Sequence, residues 1–363
     1  MTKKNLVFIL PNFSFGGAGK SLLNICKNLN KKKYEIYALS LNKNYYKKEL
    51  SNYCKEVVEI KSPSTLFSLK KINNYLSDFD KNNTIIISNI NYANALFTIY
   101  FKIINKFKII LVERTPLQEL FIYFGFKDFV KKFVIKIIAK IFYRYADDII
   151  ANSKKTASDF TIFTKKKCRY IYPLTLDNII MAKKKTLKKN QKINILTISR
   201  LSKEKNLLEQ LKAIKNLKSK RFILNILGDG DQKNEIKKYI KDNNIDAKIY
   251  KYSDQKKLEL FKKSKLYICS SLFEGFPNAV VEAINYNLPI ISSINHGGIK
   301  EIILNGRGGQ LYYSGDEKGL IKKIMNIKNN YNLNAKKALY SKRFLSRFTK
   351  LNIKQYEKIF DKT

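Results

Sequence analysis

The sequence predicts an α/β protein built from two doubly wound parallel-sheet domains. Three observations carry that reading. Short apolar runs alternate with amphipathic helical stretches, the pattern of parallel strands joined by crossover helices. The pattern restarts after a Lys-rich stretch at Met181–Lys192 that has no apolar periodicity. The length, 363 residues, suits two domains of roughly 150 residues each.

The first strand is read at Leu6–Leu10, followed by the loop Pro11–Gly19 and a helix with Leu22, Ile25, Cys26 and Leu29 on one face. Strands at Tyr34–Leu41, Thr84–Ser88, Lys108–Val112 and Asp148–Ala151 complete the first set. The second set is Ile193–Ile198, Phe222–Leu227, Ala247–Tyr250, Leu266–Ser270, Pro289–Ser292 and Gln310–Tyr313, with helices between them. In such sheets ligands sit at the carboxyl ends of strands, often on helix N-termini. Chemistry is therefore sought in the loops that follow strands.

Composition excludes several classes. With 45% apolar residues and 23 each of Tyr and Phe, the chain can build substantial cores, which excludes global disorder. The stretch Thr84–Phe101, within the longest uncharged run, carries Ser88, Asn89, Asn91 and Asn94, which are costly in lipid, so a polytopic membrane protein is excluded. The apolar stretch ending at Pro11 is too short for a secretory signal, and none is expected. The formal net charge of +42 invites nucleic acid, anionic lipid or phosphorylated ligands. It is spread evenly, +18 over residues 1–180 and +24 over 181–363, in a chain crowded with the Asn, Ile, Tyr, Phe and Lys of AT-rich codons. Most of it is therefore read as compositional. Cys26, Cys54, Cys168 and Cys269 form no C-x-x-C pair and His296 is the single histidine, so neither a disulfide framework nor a zinc site is expected.

Gly16-Gly17-Ala18-Gly19-Lys20-Ser21 lies between a strand and a helix, where a phosphate cradle belongs. A P-loop needs its first glycine where Ser14 stands, and no apolar strand ends in the Asp that would hold Mg²⁺. A P-loop ATPase is thus kept only as an alternative. Gly16 and Gly17 are read instead as a turn that lets the backbone approach a substrate.

The most informative run is Ser271-Leu272-Phe273-Glu274-Gly275-Phe276-Pro277-Asn278-Ala279-Val280-Val281-Glu282-Ala283. It follows a buried-looking strand, and Pro277 suits the start of a helix. Glu274 in the loop and Glu282 in the helix can face one cleft, beside backbone N–H groups that attract an anion. Paired carboxylates next to an anion site suit a ligand carrying both hydroxyls and phosphates, such as a nucleotide sugar.

This run resembles the E-x7-E signature of retaining glycosyltransferases of the GT-B fold, particularly glycosyltransferase family 4. Other segments agree in order: Phe15-Gly16-Gly17-Ala18, Tyr145–Ser153, Ser199-Arg200-Leu201-Ser202-Lys203-Glu204-Lys205-Asn206, Leu224–Gly230 and Gly298–Ile303. The resemblance runs to about residue 315 and is strongest over 193–312. It implies two Rossmann-like domains facing across a cleft: an acceptor-binding domain at 1–177, a basic linker at 178–192 and a nucleotide-sugar-binding domain at 193–345. A C-terminal helix at 346–363 is expected to return to the first domain.

The roles it implies follow the chemistry. A sugar nucleotide leaves as a diphosphate, so negative charge must be stabilised. Arg200 and Lys205 match the family's paired cations for that diphosphate. Glu282 would hold the ribose hydroxyls, Glu274 a hydroxyl of the transferred sugar, and Gly228, Gly230, Phe276, Pro277 and Asn278 would line the donor. Glu274 is not assigned as a nucleophile. Where many relatives place an acceptor-domain histidine, this chain has Glu113 and Arg114, read as acceptor or cleft residues with Gly16 and Gly17. His296 is a candidate diphosphate contact. Asp229-Gly230-Asp231 and Asp78-Phe79-Asp80 imitate a D-x-D metal motif, but the first coincides with the G-x-G turn and the second precedes a strand. No metal and no cofactor are expected.

The helix pattern Phe126–Tyr145 sets Lys132, Lys136, Lys140 and Arg144 four apart among Phe129, Phe133, Ile137, Ile138, Ile141 and Phe142. Its ordinary reading is a solvated face of a packed helix; its functional reading is docking of residues 117–145 on an anionic leaflet. The resulting expectation is a UDP-sugar-dependent transferase acting on a lipid-linked or lipid A-linked glycan. It would be cytoplasmic, peripheral on the inner face of the membrane, and would serve bacterial surface polysaccharide assembly. No nucleic-acid partner is expected, because no clustered basic stripe or reading module is present; a basic nucleic-acid-binding protein stays as the other alternative.

Overall fold

In β1 (Lys4–Leu10) successive side chains point to opposite sides, and both sides are apolar. Val7 and Ile9 join one core cluster, while Leu6, Phe8 and Leu10 join another. A strand buried on both faces reads as a continuous apolar run, which is why it was visible in the sequence. The computed structural model describes all residues except 1, 12–16, 63, 90–92, 218, 220 and 295–296. The chain divides into two compact units, residues 1–177 with 347–363, and residues 178–346.

The first unit adds β2 (Tyr34–Ser40), β3 (Glu56–Glu59), β4 (Thr84–Ser88), β5 (Lys108–Glu113), β6 (Asp148–Ala151) and β7 (Arg169–Tyr170). All pairings are parallel, in the order β3-β2-β1-β4-β5-β6-β7. Register follows the apolar pattern: Leu6 lies opposite both Ile36 and Ile85, and all three face the same cluster. On the other side of the sheet sit Leu69 and Ile72 from the helix Thr65–Tyr75, with Phe97 and Phe101 from a helical stretch that widens to a π-helix at Thr98–Ile104. The helix Gly17–Asn28 and the C-terminal helix Ile353–Lys362 together cover the Leu6 side. Phe360 is fully buried there, edge-on to Phe8 and Tyr34, and the Tyr34 hydroxyl donates to Asp361.

Strands β3 and β7 were not foreseen. The first is a four-residue Glu-Val-Val-Glu near the sheet edge, and the second is a two-residue exposed edge. Short, charged strands are how sheets blunt their edges, and they leave no apolar run to read.

The second unit has β8 (Ile193–Ile198), β9 (Phe222–Leu227), β10 (Ala247–Tyr250), β11 (Leu266–Cys269), β12 (Ile290–Ile294) and β13 (Gln310–Tyr313). The order β10-β9-β8-β11-β12-β13, all parallel, reverses direction between β8 and β11, the arrangement of a doubly wound sheet. β12 begins one residue later than expected. Pro289 has no N–H for the ladder, and only its carbonyl takes part, accepting from Tyr267 at 3.0 Å. The basic stretch before β8 is neither helix nor strand, yet it is tied to this unit. Asn285 and Asn287 donate to the carbonyls of Asn178 and Ala182, and Lys185 Nζ reaches the carbonyls of Phe261 and Lys262 at a helix C-terminus. Burial pulls the Lys185 pKa down to about 8. Among the described residues, no helix is long and apolar enough to cross a membrane.

Candidate active site

In the second unit, four loops at the carboxyl ends of strands interlock. The loops after β8 and β9 are zipped by backbone bonds: Ser199 N–H to Leu227 O at 3.2 Å, Leu201 N–H to Asp229 O at 2.9 Å and Gln232 N–H to Leu201 O at 2.9 Å. This leaves no room for side chains at the two glycines. A Cβ on Gly228 would lie 1.9 Å from Ser199 O, and one on Gly230 would lie 2.3 Å from Leu201 O. Both glycines are thus demanded by close approach of two backbones. Arg200, one residue after this zipper begins, is exposed and has no hydrogen-bond or ion-pair partner among the described residues.

Lys205 is brought to Glu274 by the meeting of the β8 and β11 loops. Its Nζ lies 2.5 Å from Glu274 Oε1, with both side chains largely buried. The Ser271 hydroxyl donates to the same oxygen at 3.2 Å. Behind the pair runs a buried polar chain: Thr197 donates to Gln210 at 2.6 Å, Gln210 to Ser270 at 2.7 Å, and Ser270 to the Lys205 carbonyl at 2.8 Å. Each buried polar atom in this chain has its partner, so the loop positions are specified rather than merely tolerated. Burial alone would lower the Lys205 pKa, but the charge and hydrogen bond of Glu274 outweigh it and hold the ammonium above its ordinary value.

Downstream, Pro277 caps the helix Asn278–Asn285, and Phe273 and Phe276 turn inward and are buried. The loop after β12 lies against this turn. Gly298 N–H donates to Gly275 O at 2.8 Å, and a Cβ on Gly297 would sit 1.9 Å from Glu274 O. Glu282, one face along the helix, pairs with Lys257 at 3.1 Å from the helix Asp254–Lys263. Burial would lower the Lys257 pKa, but the Glu282 carboxylate raises it further. His296 lies outside the described residues. Asp229 is exposed and paired with Lys233 at 3.0 Å. Among the described residues, no three metal-ligating side chains gather.

In the first unit, Gly17 opens the helix Gly17–Asn28, and Gly16 lies outside the described residues. Glu113 ends β5 but is only 3% exposed. Its Oε1 accepts from Asn94 at 2.6 Å and from Tyr143 at 2.7 Å. Burial raises its pKa to about 8, against the pull of those two donors. It therefore holds its own unit together instead of being displayed to a ligand. Arg114 is half-buried and donates to Asn89 at 3.2 Å. Sequence reading missed Lys257, Gly297 and the Thr197–Gln210–Ser270 chain. Their partners come from strands and helices far along the chain, and only a glycine before the Gly298–Ile303 segment offered a local signal.

Residues 179–344 match the family model described as glycosyl transferases group 1. An uncharacterized glycosyltransferase of Methanocaldococcus jannaschii is 31% identical over 218 residues, covering 56% of this chain and 52% of its own. A Campylobacter jejuni N-acetylgalactosaminyltransferase, named for an N-acetylgalactosamine-N,N'-diacetylbacillosaminyl-diphospho-undecaprenol acceptor, is 28% identical over 228 residues. That match covers 61% of this chain and 58% of the relative, so the chain spans little more than half the length of these curated relatives. The crystal structure of Anabaena HepE in complex with UDP-glucose superposes with a TM-score of 0.78, at 19% identity and 99% coverage of both chains. Residues 179–344 are thus similar to the glycosyl transferases group 1, and the chain as a whole has the GT-B fold, with two Rossmann-like parallel-sheet units.

Proposed function

We propose that this protein moves a sugar from a UDP-linked donor to a membrane-associated glycan, with retention of anomeric configuration, in bacterial surface polysaccharide assembly. The observation that carries the reading is the buried Lys205–Glu274 pair, set among glycine-tight loops beside an exposed Arg200. In this reading Arg200 and Lys205 meet the diphosphate. As the bond from the anomeric carbon to the phosphate oxygen breaks, charge grows on that oxygen, and fixed cations stabilise it more than they stabilise the bound donor. The acceptor hydroxyl attacks the same carbon from the same face and passes its proton to the departing phosphate.

Glu274 takes a hydroxyl of the transferred sugar. Lys205 and Ser271 both engage its Oε1, which suits an oriented acceptor better than a nucleophile. Glu282, steadied by Lys257, takes the ribose hydroxyls. The backbone at Gly228, Gly230, Phe276, Pro277 and Asn278 lines the donor. Gly17 and Arg114 serve the acceptor in the first unit. Support for the donor and acceptor classes comes from the relatives' names, which include an Escherichia coli lipopolysaccharide 1,6-galactosyltransferase, and from the UDP complexes of HepE. The cytoplasmic face of the membrane is where such a donor and acceptor meet.

Hydrolysis of a panel of nucleotide sugars, which needs no acceptor, tests the donor class. Arg200→Ala is expected to lower transfer by about 100-fold or more while the melting curve stays in place. Glu282→Ala is expected to lower transfer as far and also to lower the melting temperature, because it strands the Lys257 charge. Full activity in either variant would put the donor elsewhere. Retention is checked by the NMR coupling of the newly formed anomeric proton.

A further inference from the structure

The helix Phe126–Phe142 buries a lysine and leaves far more apolar surface outside than an ordinary surface helix, although Ala139, Ile135 and Ile138 still pack inward. Among its residues Lys132 and Ala139 are the buried ones, whereas Phe126, Phe129, Val130, Phe133, Val134, Ile137 and Ile141 are all at least 40% exposed. Amphipathic helices of globular units place charge outward and apolar groups inward. Here the inward Lys132 bonds to the Ile122 carbonyl at 2.7 Å and to Asp128 at 2.8 Å, pinning the preceding loop to the helix. That loop adds exposed Phe121, Tyr123 and Phe124 to the same region.

The aromatic side chains are ordered by one another. Phe126, Phe129 and Phe133 form a stacked ladder with centroids 6.4 Å and 6.2 Å apart, and Tyr123 meets Phe129 at 5.0 Å. Lys136 lies over Phe121 at 4.6 Å and donates to the Tyr123 hydroxyl at 2.9 Å. Around these rings stand exposed Lys127, Lys131, Lys140 and Arg144; residues 120–145 hold six basic side chains and one acidic. An apolar surface this extensive on a folded unit marks an interaction site.

We infer that this face docks the protein on an anionic phospholipid leaflet, with the aromatic ladder in the interface and the cations on the headgroups. The charge pattern selects this occupant. A second copy would set exposed Lys127, Lys131, Lys140 and Arg144 against their equals, whereas an anionic leaflet complements them. Interfacial helices combine this basic flank with Phe-rich apolar faces, and Tyr is enriched at headgroup depth. The inference stands on the first unit alone and does not depend on the donor-site reading.

The chain has no tryptophan, so Phe126→Trp gives a reporter without background. The full chain carrying it is mixed with phosphatidylcholine vesicles and with phosphatidylcholine–phosphatidylglycerol vesicles, no sugar donor being present. Expected are a blue shift, protection from acrylamide, and co-sedimentation with the anionic vesicles only. Salt should weaken binding, and Lys127→Glu, Lys131→Glu and Lys140→Glu should each lower partitioning about fivefold or more. The triple change of Phe126, Phe129 and Phe133 to Ser should abolish it with the far-ultraviolet spectrum unchanged. A reporter that stays water-exposed on bound protein, binding untouched by the triple change, or equal binding to neutral vesicles would overturn the proposal. So would a dimer that the triple change dissolves, or an acidic protein partner that binds this face in preference to vesicles.

Discussion

Lys205 and Glu274 show what one pair contributes. With both side chains mostly out of water, removing one partner strands the other's charge. Lys205→Met is expected to cost the second unit ~3 kcal/mol, and adding Glu274→Gln should restore part of it; urea unfolding of the single and double variants measures the coupling. Glu113 predicts a pH dependence. The unfolded carboxyl releases its proton near 4.5, whereas the folded one keeps it to about 8. Between those values the folded chain binds the extra proton, so stability falls as pH rises across that window. Glu113→Gln keeps an acceptor for Asn94 and Tyr143 and removes the titration. Its melting temperature should exceed that of the parent by more at pH 8 than at pH 5. At this scale the sequence singled out Glu274, Lys205 and Arg200, because their neighbours along the chain form a pattern, and the structure brings the first two together. It hid Lys257 and Gln210, whose meaning lies in Glu282 and Ser270, residues contributed by distant elements.

Elements were legible where burial is complete. The apolar runs of β1, β4, β5 and β8 follow from having helices on both faces, whereas β3 and β7 lie at an edge and look like charged loop. Periodicity also located the helix Phe126–Phe142 but not its inward side, since a turn of the helix about its axis leaves the spacing unchanged. Two substitutions test how elements are held. Ser253 caps the helix that carries Lys257, accepting from Lys256 N–H at 3.1 Å, so Ser253→Ala should cost about 1 kcal/mol in urea unfolding. Phe360 fills a fully buried site on the C-terminal helix, and Phe360→Ala should cost the first unit ~3–5 kcal/mol by the same measurement.

For the whole molecule, two compact units imply two addressable responses. A nucleotide diphosphate held by the loops after β8, β9, β11 and β12 should slow hydrogen exchange within residues 178–346 and leave residues 1–177 as they were. At a hundredfold excess over its Kd, UDP should stabilise that unit by ~2.7 kcal/mol. Protection spread evenly over both units would count against the assigned loops. The +42 charge had suggested a polyanion, but it is evenly distributed, and the feature that distinguishes one face is the aromatic ladder the cations surround.

The C-terminal helix carries a further consequence, for synthesis. Phe360 and Ile359 close the core over β1, yet the ribosome makes them only after the whole of the second unit. The sheet of the first unit must therefore wait with one side incompletely covered while residues 178–346 are translated and fold. A nascent chain in that interval exposes Phe8 and Ile36, which makes it a client for chaperones. A stop codon just before Ile353 would harm a unit whose sheet had been made long before it.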